Sequence, residues 1–555
     1  MKTNKTNNKT GKGKPSVPFK SKGNKRYKFN EKDFQGKPIS ADNTANYVGW
    51  YSVNQEVLND AASFPFSNAI GSKIPGFLSV PGAMFVNFDT YYGPADDGNV
   101  ALNMAVTNYF STVRSRQTGA VPYESSDLMI YLLAAGEIMS MIAAASRRYG
   151  IAKKFNLYNE YLPKGLFDNL GTSSSEVIDN AANFRLKLNI IIEQFNQTIK
   201  VPKNFPLFAR RVLLNESVFV NTDGNKYQLV IPVQRAYGVF SATEFETGSA
   251  LIEGAQYDFS LDQLSQIITD LGANQDIRTM SGDLERRFEN EILQLDPISE
   301  DYTTPFIYDD MMNCQFHNLK TAMMNVMKDN GTTFSQTNLE YLADPTGGVV
   351  TQDKIRSYPV VYQRNNKLFC QGFITATTGG SYVNEDELEK ASSALNDVLL
   401  DFSVDRPAPA DIMEGSRLTL GLAKKPTLKY TTETSNLTTS MYPIIAGSEI
   451  VVAVSILAME SGNISYLVTD AYSVNYIPEE NQNLDPSQLR DLIRTVGFMS
   501  QFKHSPLLYI TDSIVGKIDS FSVINAETGL RNLHKAAILG EMRIPNNAIV
   551  VKKST

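Results

Sequence analysis

Apolar side chains recur at helical spacing in three early stretches of the chain. The first stretch follows Asn99, a residue type that favours helix N-caps. The second follows Ser125 and stops at Gly150, and the third follows the capping box Ser173-x-x-Glu176. Each stretch therefore predicts a helix. The recurring residues are Leu102, Ala105, Val106, Tyr109 and Val113 in the first, Leu128, Tyr131, Leu132, Ile138, Met141 and Ala145 in the second, and Ile178, Ala182, Leu186, Ile190 and Phe195 in the third.

The second of these helices is apolar nearly all round. Residues 128–145 approach the length of a membrane span. However, Glu137 lies in the middle, alanine and glycine dilute the hydrophobicity, and no second span follows. We therefore interpret this segment as a helix buried in a large α-helical core.

From about residue 213 the pattern shifts toward strands. Segments 217–220 and 227–233 flank Asp223-Gly224, which is typical of a β-hairpin with an Asp-Gly turn. Strands and helices are then predicted to mix. The predicted strands are 360–362, 369–375, 450–457 and 464–468, and the predicted helices are 261–271, 283–295, 309–328 and 385–400.

Helical character returns after Asp485-Pro486, an N-cap residue followed by proline at the first helical position. The chain is therefore predicted to contain an N-terminal arm (1–60), a helical unit (61–210), an insertion (211–484) and a helical return (485–555). This organisation predicts a mainly α protein with a mixed α/β insertion, in which the two helical parts form one unit.

Positive charge is concentrated at the N-terminus. The net charge of the chain is −7, but residues 1–40 contain twelve basic and two acidic side chains, a net charge of +10. Residues 41–555 therefore carry a net charge of −17. Ten of the basic residues precede the first acid, Glu31, and they are Lys2, Lys5, Lys9, Lys12, Lys14, Lys20, Lys22, Lys25, Arg26 and Lys28.

This basic arm contains almost no aliphatic side chains, so we predict that it is disordered. A flexible polycation attached to an acidic body suits a polyanion, and nucleic acid is the favoured partner of the ten basic residues. Tyr27 and Phe29 lie among them and could stack on bases. A solubilising tail, a nuclear-import signal and a contact with an anionic membrane are the alternative interpretations.

Cysteine and histidine are scarce. Cys314 and Cys370 cannot form a disulfide framework. They could form a single bridge, but a reducing compartment is the simpler interpretation. Together with only three histidines, they are too few for a convincing zinc site. We therefore predict no metal and no cofactor.

The motifs that resemble catalytic signatures have simpler structural explanations. Asp96-Asp97-Gly98 resembles paired polymerase aspartates, but it fits a polar loop before a helix and has no partner motif. Asp309-Asp310 fits a helix start, where acids favour the helix dipole. His317 and Cys314 lie three residues apart on a predicted helix and fit a core or an interface. We therefore predict a structural protein rather than an enzyme.

Several short stretches, in order and spacing, resemble picobirnavirus capsid proteins over roughly residues 78–168. The stretches are Val80-Pro-Gly-Ala-Met84, Asn108-Tyr109, Val113-Arg114, Asp127-Leu-Met-Ile-Tyr-Leu-Leu-Ala134, Arg148-Tyr-Gly150 and Asn159-Glu-Tyr-Leu-Pro163.

The resemblance implies an α-helical viral shell domain with a protruding domain inserted in the chain. It also implies dimers that build an icosahedral shell around double-stranded RNA, with the basic N-terminal segments facing inward. The expected locations are the virion and, during assembly, the host cytoplasm. The competing hypothesis is a nucleoprotein that coats RNA without forming a closed shell.

The resemblance further implies interaction with host membranes and the loss of an N-terminal peptide during maturation. Asn68-Ala69 is a candidate for self-cleavage, because an asparagine side chain can attack its own carbonyl. Asn-Ala pairs also occur elsewhere in the chain, so chance occurrence is the leading interpretation of this pair.

Overall fold

The computed structural model describes the residues that form the helices, the strands and their nearest connections. They all belong to one of the two units into which the chain divides, Phe66–Thr555. The described residues are 81–93, 100–115, 119, 122–154, 166–167, 170–171, 177–203, 205–221, 228–245, 248–321, 339–340, 360–364, 366–371, 373–374, 397–402, 406–430, 435–460, 463–470, 502–510, 513–515 and 521–543.

Helices dominate the first part of this region. They are α1 (Val100–Arg114), α2 (Ser125–Lys154), α3 (Ala181–Thr198), α4 (Pro206–Glu216), α5 (Leu261–Ala273), α6 (Gln275–Phe288), α7 (Asp310–His317), α8 (Pro409–Gly415) and α9 (Ala526–Glu541), with a 3₁₀ turn at Glu289–Glu291.

Strands are distributed along the whole described chain. They are β1 (Pro81–Thr90), β2 (Val218–Val220), β3 (Leu229–Gln234), β4 (Ala236–Phe245), β5 (Gly248–Gln256), β6 (Phe306–Tyr308), β7 (Lys320–Thr321), β8 (Leu339–Glu340), β9 (Val360–Arg364), β10 (Lys367–Gln371), β11 (Phe373–Ile374), β12 (Asp397–Asp401), β13 (Leu420–Tyr430), β14 (Ser435–Ile445), β15 (Glu449–Glu460), β16 (Asn463–Asp470), β17 (Leu507–Ile510), β18 (Ser513–Val515) and β19 (Phe521–Asn525).

A six-stranded mixed sheet joins segments that are far apart in sequence. Its strand order is β16-β15-β1-β3-β2-β6. β1 pairs antiparallel with β15, with Val86 opposite Val454, and parallel with β3, with Phe85 opposite Ile231. Every residue of β3 is buried, as expected for a strand covered on both faces.

Helix α2 lies at the centre of the protein core. Every residue from Leu128 to Ile151 is buried, and the helix packs against α4, α3 and β4. Among the described helices, α2 alone is long and apolar enough to cross a membrane, and protein surrounds its apolar stretch completely. The prediction of a buried core helix is therefore confirmed for this segment.

The end of α2 differs from the prediction. Gly150 does not stop the helix, which continues to Lys154. A Cβ atom at Gly150 would lie 2.3 Å from both the backbone nitrogen and Oγ1 of Thr304, so the glycine permits a close approach. Arg147, near the same end, is buried and donates to the carbonyl oxygens of Leu214 at 3.1 Å and Pro232 at 2.7 Å.

The third predicted helix exists, but the core covers its other face. The buried residues of α3 are Phe184, Leu188, Ile191, Ile192, Phe195 and Asn196. Leu186 and Ile190, which the periodicity places on the apolar stripe, are 60% and 51% exposed. Two apolar stripes share this helix, and spacing alone cannot tell which of them meets the core.

The hairpin prediction is confirmed by β2 and β3, in which Phe219 pairs with Val230. Helix α5 begins as predicted, since the Ser260 side chain accepts a hydrogen bond from the Gln263 backbone at 3.1 Å. The predicted strands near 360, 369, 450 and 464 are present as β9, β10, β15 and β16.

Other elements were predicted wrongly. β1 lies inside the stretch expected to be helical, and β17, β18 and β19 precede the single described helix of the C-terminal return. The predicted helix 283–295 ends at Phe288 as part of α6, and 309–328 ends at His317 as α7. Residues 397–400, predicted as a helix end, belong to strand β12. Local patterns missed β1, β12 and β19 because the strands that pair with them are distant in sequence.

Several predicted features lie outside the described residues. They are Asn99, the capping box Ser173-x-x-Glu176, Asp223-Gly224 and the helix start Asp485-Pro486.

Candidate functional site: a buried ionic cluster

A cluster of buried charges lies where α4, α2, β15 and α9 meet. We call it the ionic cluster, and its members are Glu137, Arg210, Arg211, Arg417, Glu449 and Glu541. Charged side chains are costly to bury unless they are paired, so the arrangement of these partners determines whether the core is stable here.

Glu449, at the start of β15, is held mainly by Arg210. Arg210 donates through Nε at 3.1 Å and Nη2 at 3.0 Å to the two carboxylate oxygens, a bidentate geometry. Nη1 of the adjacent Arg211 lies 4.0 Å from Glu449 Oε1. Burial by itself would raise the pKa of Glu449, but Arg210, Arg417 and Arg211 outweigh it and lower the pKa to about 2.

Glu137, the acid in the middle of α2, has weaker support. It accepts hydrogen bonds from Gln234 Nε2 at 2.5 Å and from the Tyr92 hydroxyl at 3.4 Å. Arg211 Nη2 donates to the same Tyr92 oxygen at 2.8 Å, which connects the two glutamates through Arg211. Burial raises the pKa of Glu137 above its ordinary value, although Arg211 opposes this shift.

Glu541, at the C-terminal end of α9, completes the cluster. It forms an ion pair with Arg417, whose pKa burial lowers to about 10. The Ser448 Oγ atom lies 2.7 Å from Glu541 Oε1 and 2.9 Å from Glu449 Oε1, so its single proton can serve either carboxylate. The cluster thus connects α2, α4, β15 and α9, which are far apart in the sequence.

The ionic cluster has the chemistry of a structural connection. Its carboxylates face arginines or hydrogen-bond donors, and all its members are buried except Arg417, whose side chain is 18% exposed. Such a network fixes the relative position of the elements that contribute to it more than it adds stability. In the sequence, Glu137 stands out only as an acid that disfavours a membrane span. A lone acid in an apolar helix also signals a buried cationic partner.

A second polar group surrounds His317 at the end of α7. Its Nε2 lies 2.8 Å from Asp401 Oδ2, and its ring lies 6.2 Å from that of His504. Burial lowers the pKa of His504 to about 4, so this imidazole is neutral at physiological pH. The Cys314 thiol donates to the Asp401 carbonyl oxygen at 3.3 Å, and burial raises its pKa to about 11.

These properties make Cys314 a poor nucleophile, because the thiolate is the reactive form. The interpretation of Cys314 and His317 as core or interface residues agrees with these contacts.

Within the described residues, no group of three or more His, Cys, Asp or Glu side chains is arranged to hold a metal ion. Asp309 caps α7, accepting from the backbone nitrogens of Met311 at 2.8 Å and Met312 at 2.9 Å, as predicted.

The sequence-predicted site residues lie elsewhere in the chain. The ten basic residues of the arm, from Lys2 to Lys28, and the candidate cleavage pair Asn68-Ala69 are all outside the described residues. Their roles therefore stay predictions from the sequence.

Comparison with solved structures identifies the fold. The chain is similar to the X-ray crystallographic structure of the picobirnavirus capsid, with a TM-score of 0.65 and 19% sequence identity. The similarity covers 92% of this chain and 100% of the solved chain. The architecture is therefore that of a viral capsid protein.

Sequence comparison narrows this class. The family model "Picobirnavirus, Capsid protein" matches residues 50–344, more than half of the chain. The chain belongs to the picobirnavirus capsid protein family, a family of viral structural proteins rather than enzymes. The capsid protein precursor of Human picobirnavirus (strain Human/Thailand/Hy005102/-) is 24% identical over 358 residues, which make up 60% of this chain. The match spans 64% of that relative's length.

Proposed function

We propose that this protein is the subunit of a viral capsid, which dimerises and assembles into an icosahedral shell around double-stranded RNA. The observation that carries the proposal is the family match over residues 50–344, together with a fold similarity that covers 92% of the chain. The ionic cluster, which connects α2, α4, β15 and α9, supports the same role, because a shell subunit must present its contact surfaces in fixed positions.

In the proposed particle, the basic arm contacts the packaged RNA. Residues 1–40 carry a net charge of +10 and residues 41–555 a net charge of −17. An acidic body repels phosphate, so the arm is the part of the chain best suited to neutralise it. The ten basic residues from Lys2 to Lys28 are the proposed RNA contacts.

We further propose three properties that follow from the same assignment. The protein resides in the virion and, during assembly, in the host cytoplasm. A host membrane is its partner during infection. Any N-terminal maturation cleavage would be sought first at Asn68-Ala69, upstream of the first described strand.

Negative-stain electron microscopy of purified recombinant protein tests the central proposal. We expect uniform closed particles, and the ratio of absorbance at 260 and 280 nm should report packaged RNA. Deleting residues 1–40 should leave the particles intact and reduce their RNA content, because the deletion removes the cationic segment.

An RNA-coating nucleoprotein would behave differently. It would form open ribonucleoprotein strands or small oligomers across a range of salt and pH. It would also keep its RNA affinity after deletion of residues 1–40, because its basic residues would line a groove of the folded body. Either result would contradict the capsid proposal.

A further inference from the structure

All three histidines of the chain lie where its C-terminal part meets earlier elements. His504 lies in segment 502–510 and faces His317, the last residue of α7, with 6.2 Å between the ring centroids. His534 lies in α9, and its Nδ1 atom donates to the carbonyl oxygen of Gly447 at 2.6 Å. The chain has no other histidine. Every side chain whose ordinary pKa lies near neutrality is therefore found at one of these two contacts.

The first contact attaches segment 502–510 to the core. Phe502 and Pro506 are buried, and the backbone nitrogen of Lys503 donates to Gln228 Oε1 at 3.1 Å. Strand β17, in the same segment, pairs in parallel with β7. The His504 ring lies between these anchors and is partly buried. A charge on this ring would therefore form inside the attachment itself.

The groups around His504 disfavour a proton on its ring. Burial is the main cause that lowers the pKa of His504 to about 4, and the charges of Lys503 and His317 act in the same direction. Asp310 acts in the opposite direction. The other nearby carboxylate, Asp401, is bound to His317 Nε2 at 2.8 Å. The attached state of this segment therefore requires a neutral His504 imidazole.

The second contact attaches α9 in the same way. His534 is 6% exposed, and its ring centroid lies 6.2 Å from that of Tyr91, just after β1. Burial lowers the pKa of His534, and Arg531 adds to this shift, whereas the backbone carbonyls of Gly447 and Tyr92 oppose it.

The elements that pack against α9 bring mostly basic residues to it. These elements are α1, α4, β13, β14 and β19, and neither β14 nor β19 contains a charged residue. At the other end of α9, Glu541 forms an ion pair with Arg417. A proton on His534 would therefore add charge to predominantly positive surroundings. The charged residues of α1, α4 and β13 are Arg114, Arg210, Arg211, Lys424, Lys425 and Lys429, with a single acid, Glu216.

We propose that these two contacts form an acid-sensitive attachment, through which segment 502–510 and the part of α9 around His534 separate from the core as the pH falls from 7 to 5. The inference concerns the folded subunit and does not depend on its proposed assembly into a shell. It goes beyond that function by giving the subunit a response to acidity.

The ionic cluster stays paired over the same pH range. The pKa of Glu449 is about 2, so its carboxylate keeps its charge beside Arg210 at pH 5. Burial raises the pKa of Glu137, so acidification relieves a penalty there rather than creating one. The loss is therefore confined to the contacts made by the C-terminal part of the chain.

The direction of the effect follows from the lowered pKa values. An imidazole of this kind contributes fully to attachment above pH 6.5, and the contribution is lost as the pH falls toward the pKa of the attached state. For His504, the values 6.5 and about 4 predict a roughly twentyfold rise in the equilibrium constant for separation between pH 7 and pH 5. His534 changes in the same direction.

Hydrogen–deuterium exchange of the full-length protein at pH 7 and pH 5 tests the attachment. The readout is the protection factor, which corrects for the intrinsic effect of pH on exchange. Protection of peptides from 502–510 should fall roughly twentyfold at pH 5, and protection around His534 should fall as well. Peptides from residues 128–151 of α2 are the internal reference and should show no fall.

Two variants remove one titrating group each. His504→Phe keeps an aromatic ring against His317, and His534→Asn keeps an amide nitrogen that can donate to the Gly447 carbonyl oxygen. Each variant should abolish the pH response of its own segment and leave that of the other segment unchanged. The two variants are therefore matched controls for each other.

Three results would overturn the proposal. They are unchanged protection of both segments at pH 5, a fall in α2 as large as in 502–510, and a wild-type pH response in both variants. If one variant fails to fold at pH 7, the response of the other decides. Particle formation is scored separately by microscopy, so a protein that forms no particles still tests the attachment.

Discussion

Gly150 and Thr304 illustrate how a single residue's role depends on its neighbour across the core. Glycine after a run of helix-favouring residues usually marks a helix end. In this protein the helix continues past Gly150 to Lys154. Because glycine has no Cβ atom, the backbone of Thr304 lies against the position that this atom would occupy.

Replacing Gly150 by alanine should therefore destabilise the folded subunit. The added methyl group would overlap the Thr304 backbone, and overpacking of this kind costs about 1–3 kcal/mol. The matched control is Gly282→Ala in α6, where a Cβ meets nothing within 4 Å. That variant should gain up to about 1 kcal/mol from helix propensity. Urea denaturation of unassembled subunits measures the free energy of unfolding of both variants. Equal changes from the two substitutions would contradict the packing explanation.

The two central glutamates of the ionic cluster have opposite pKa shifts. The pKa of Glu449 is lowered from 4.5 to about 2, so its contribution to stability is present above pH 4.5 and is lost as pH falls toward 2. The pKa of Glu137 is raised by burial, so its carboxylate opposes folding at neutral pH and this penalty fades on acidification.

Glu449→Gln should lower the free energy of unfolding at pH 7 by about 3–5 kcal/mol, because it leaves buried arginines without their acid. It should also flatten the loss of stability between pH 4.5 and 2. Glu137→Gln should cost much less at pH 7. Denaturant unfolding at several pH values compares the two variants. A larger loss of unfolding free energy from Glu137→Gln than from Glu449→Gln would refute the assigned directions of the pKa shifts.

At the scale of elements, the spacing of apolar residues predicted where the helices lie better than it predicted which face of each helix is buried. α3 has apolar residues on both sides, and the core takes Phe184 and Leu188 while Leu186 and Ile190 face outward. Strands were harder, because β1 and β19 depend on partners distant in sequence, β15 and β12. Helix starts were easier to predict, because a capping side chain binds backbone groups only two or three residues away.

The Ser260 cap of α5 provides a test at this scale. Ser260→Ala removes the side-chain oxygen that accepts from the Gln263 backbone, and it should cost about 1 kcal/mol. Ser260→Asp keeps an acceptor at the helix N-terminus and should retain most of the stability. Chemical denaturation monitored by circular dichroism distinguishes them, and an equal loss from both would show that the cap contributes little.

At the scale of the whole molecule, charge is divided between an N-terminal arm and an acidic body. The two parts have net charges of +10 and −17. This division separates the proposed RNA contact from the folded unit that contains the ionic cluster.

RNA binding should therefore depend steeply on salt through the arm alone. If all ten net charges engage phosphate, the logarithm of the binding constant should fall with the logarithm of salt concentration with a slope between roughly −7 and −9. Deletion of residues 1–40 should bring the slope close to zero. Fluorescence anisotropy with double-stranded RNA measures it, and a steep slope after the deletion would place the contacts on the body.

The sequence by itself determined the features that act locally or through composition. Helical spacing located α1, α2 and α3, a local cap located the start of α5, and the charge distribution defined the basic arm. The order of short stretches around residues 78–168 also indicated the family to which the chain belongs. These signals need only neighbours in sequence.

Only the tertiary structure decided which surfaces meet. It paired β1 with β15, placed Thr304 against Gly150, and brought Glu449 to Arg210. It also determined that the inner stripe of α3 is buried and the outer one is exposed. The physical reason is that packing and ion pairing depend on distances across the core, and a periodic pattern carries no information about the partner.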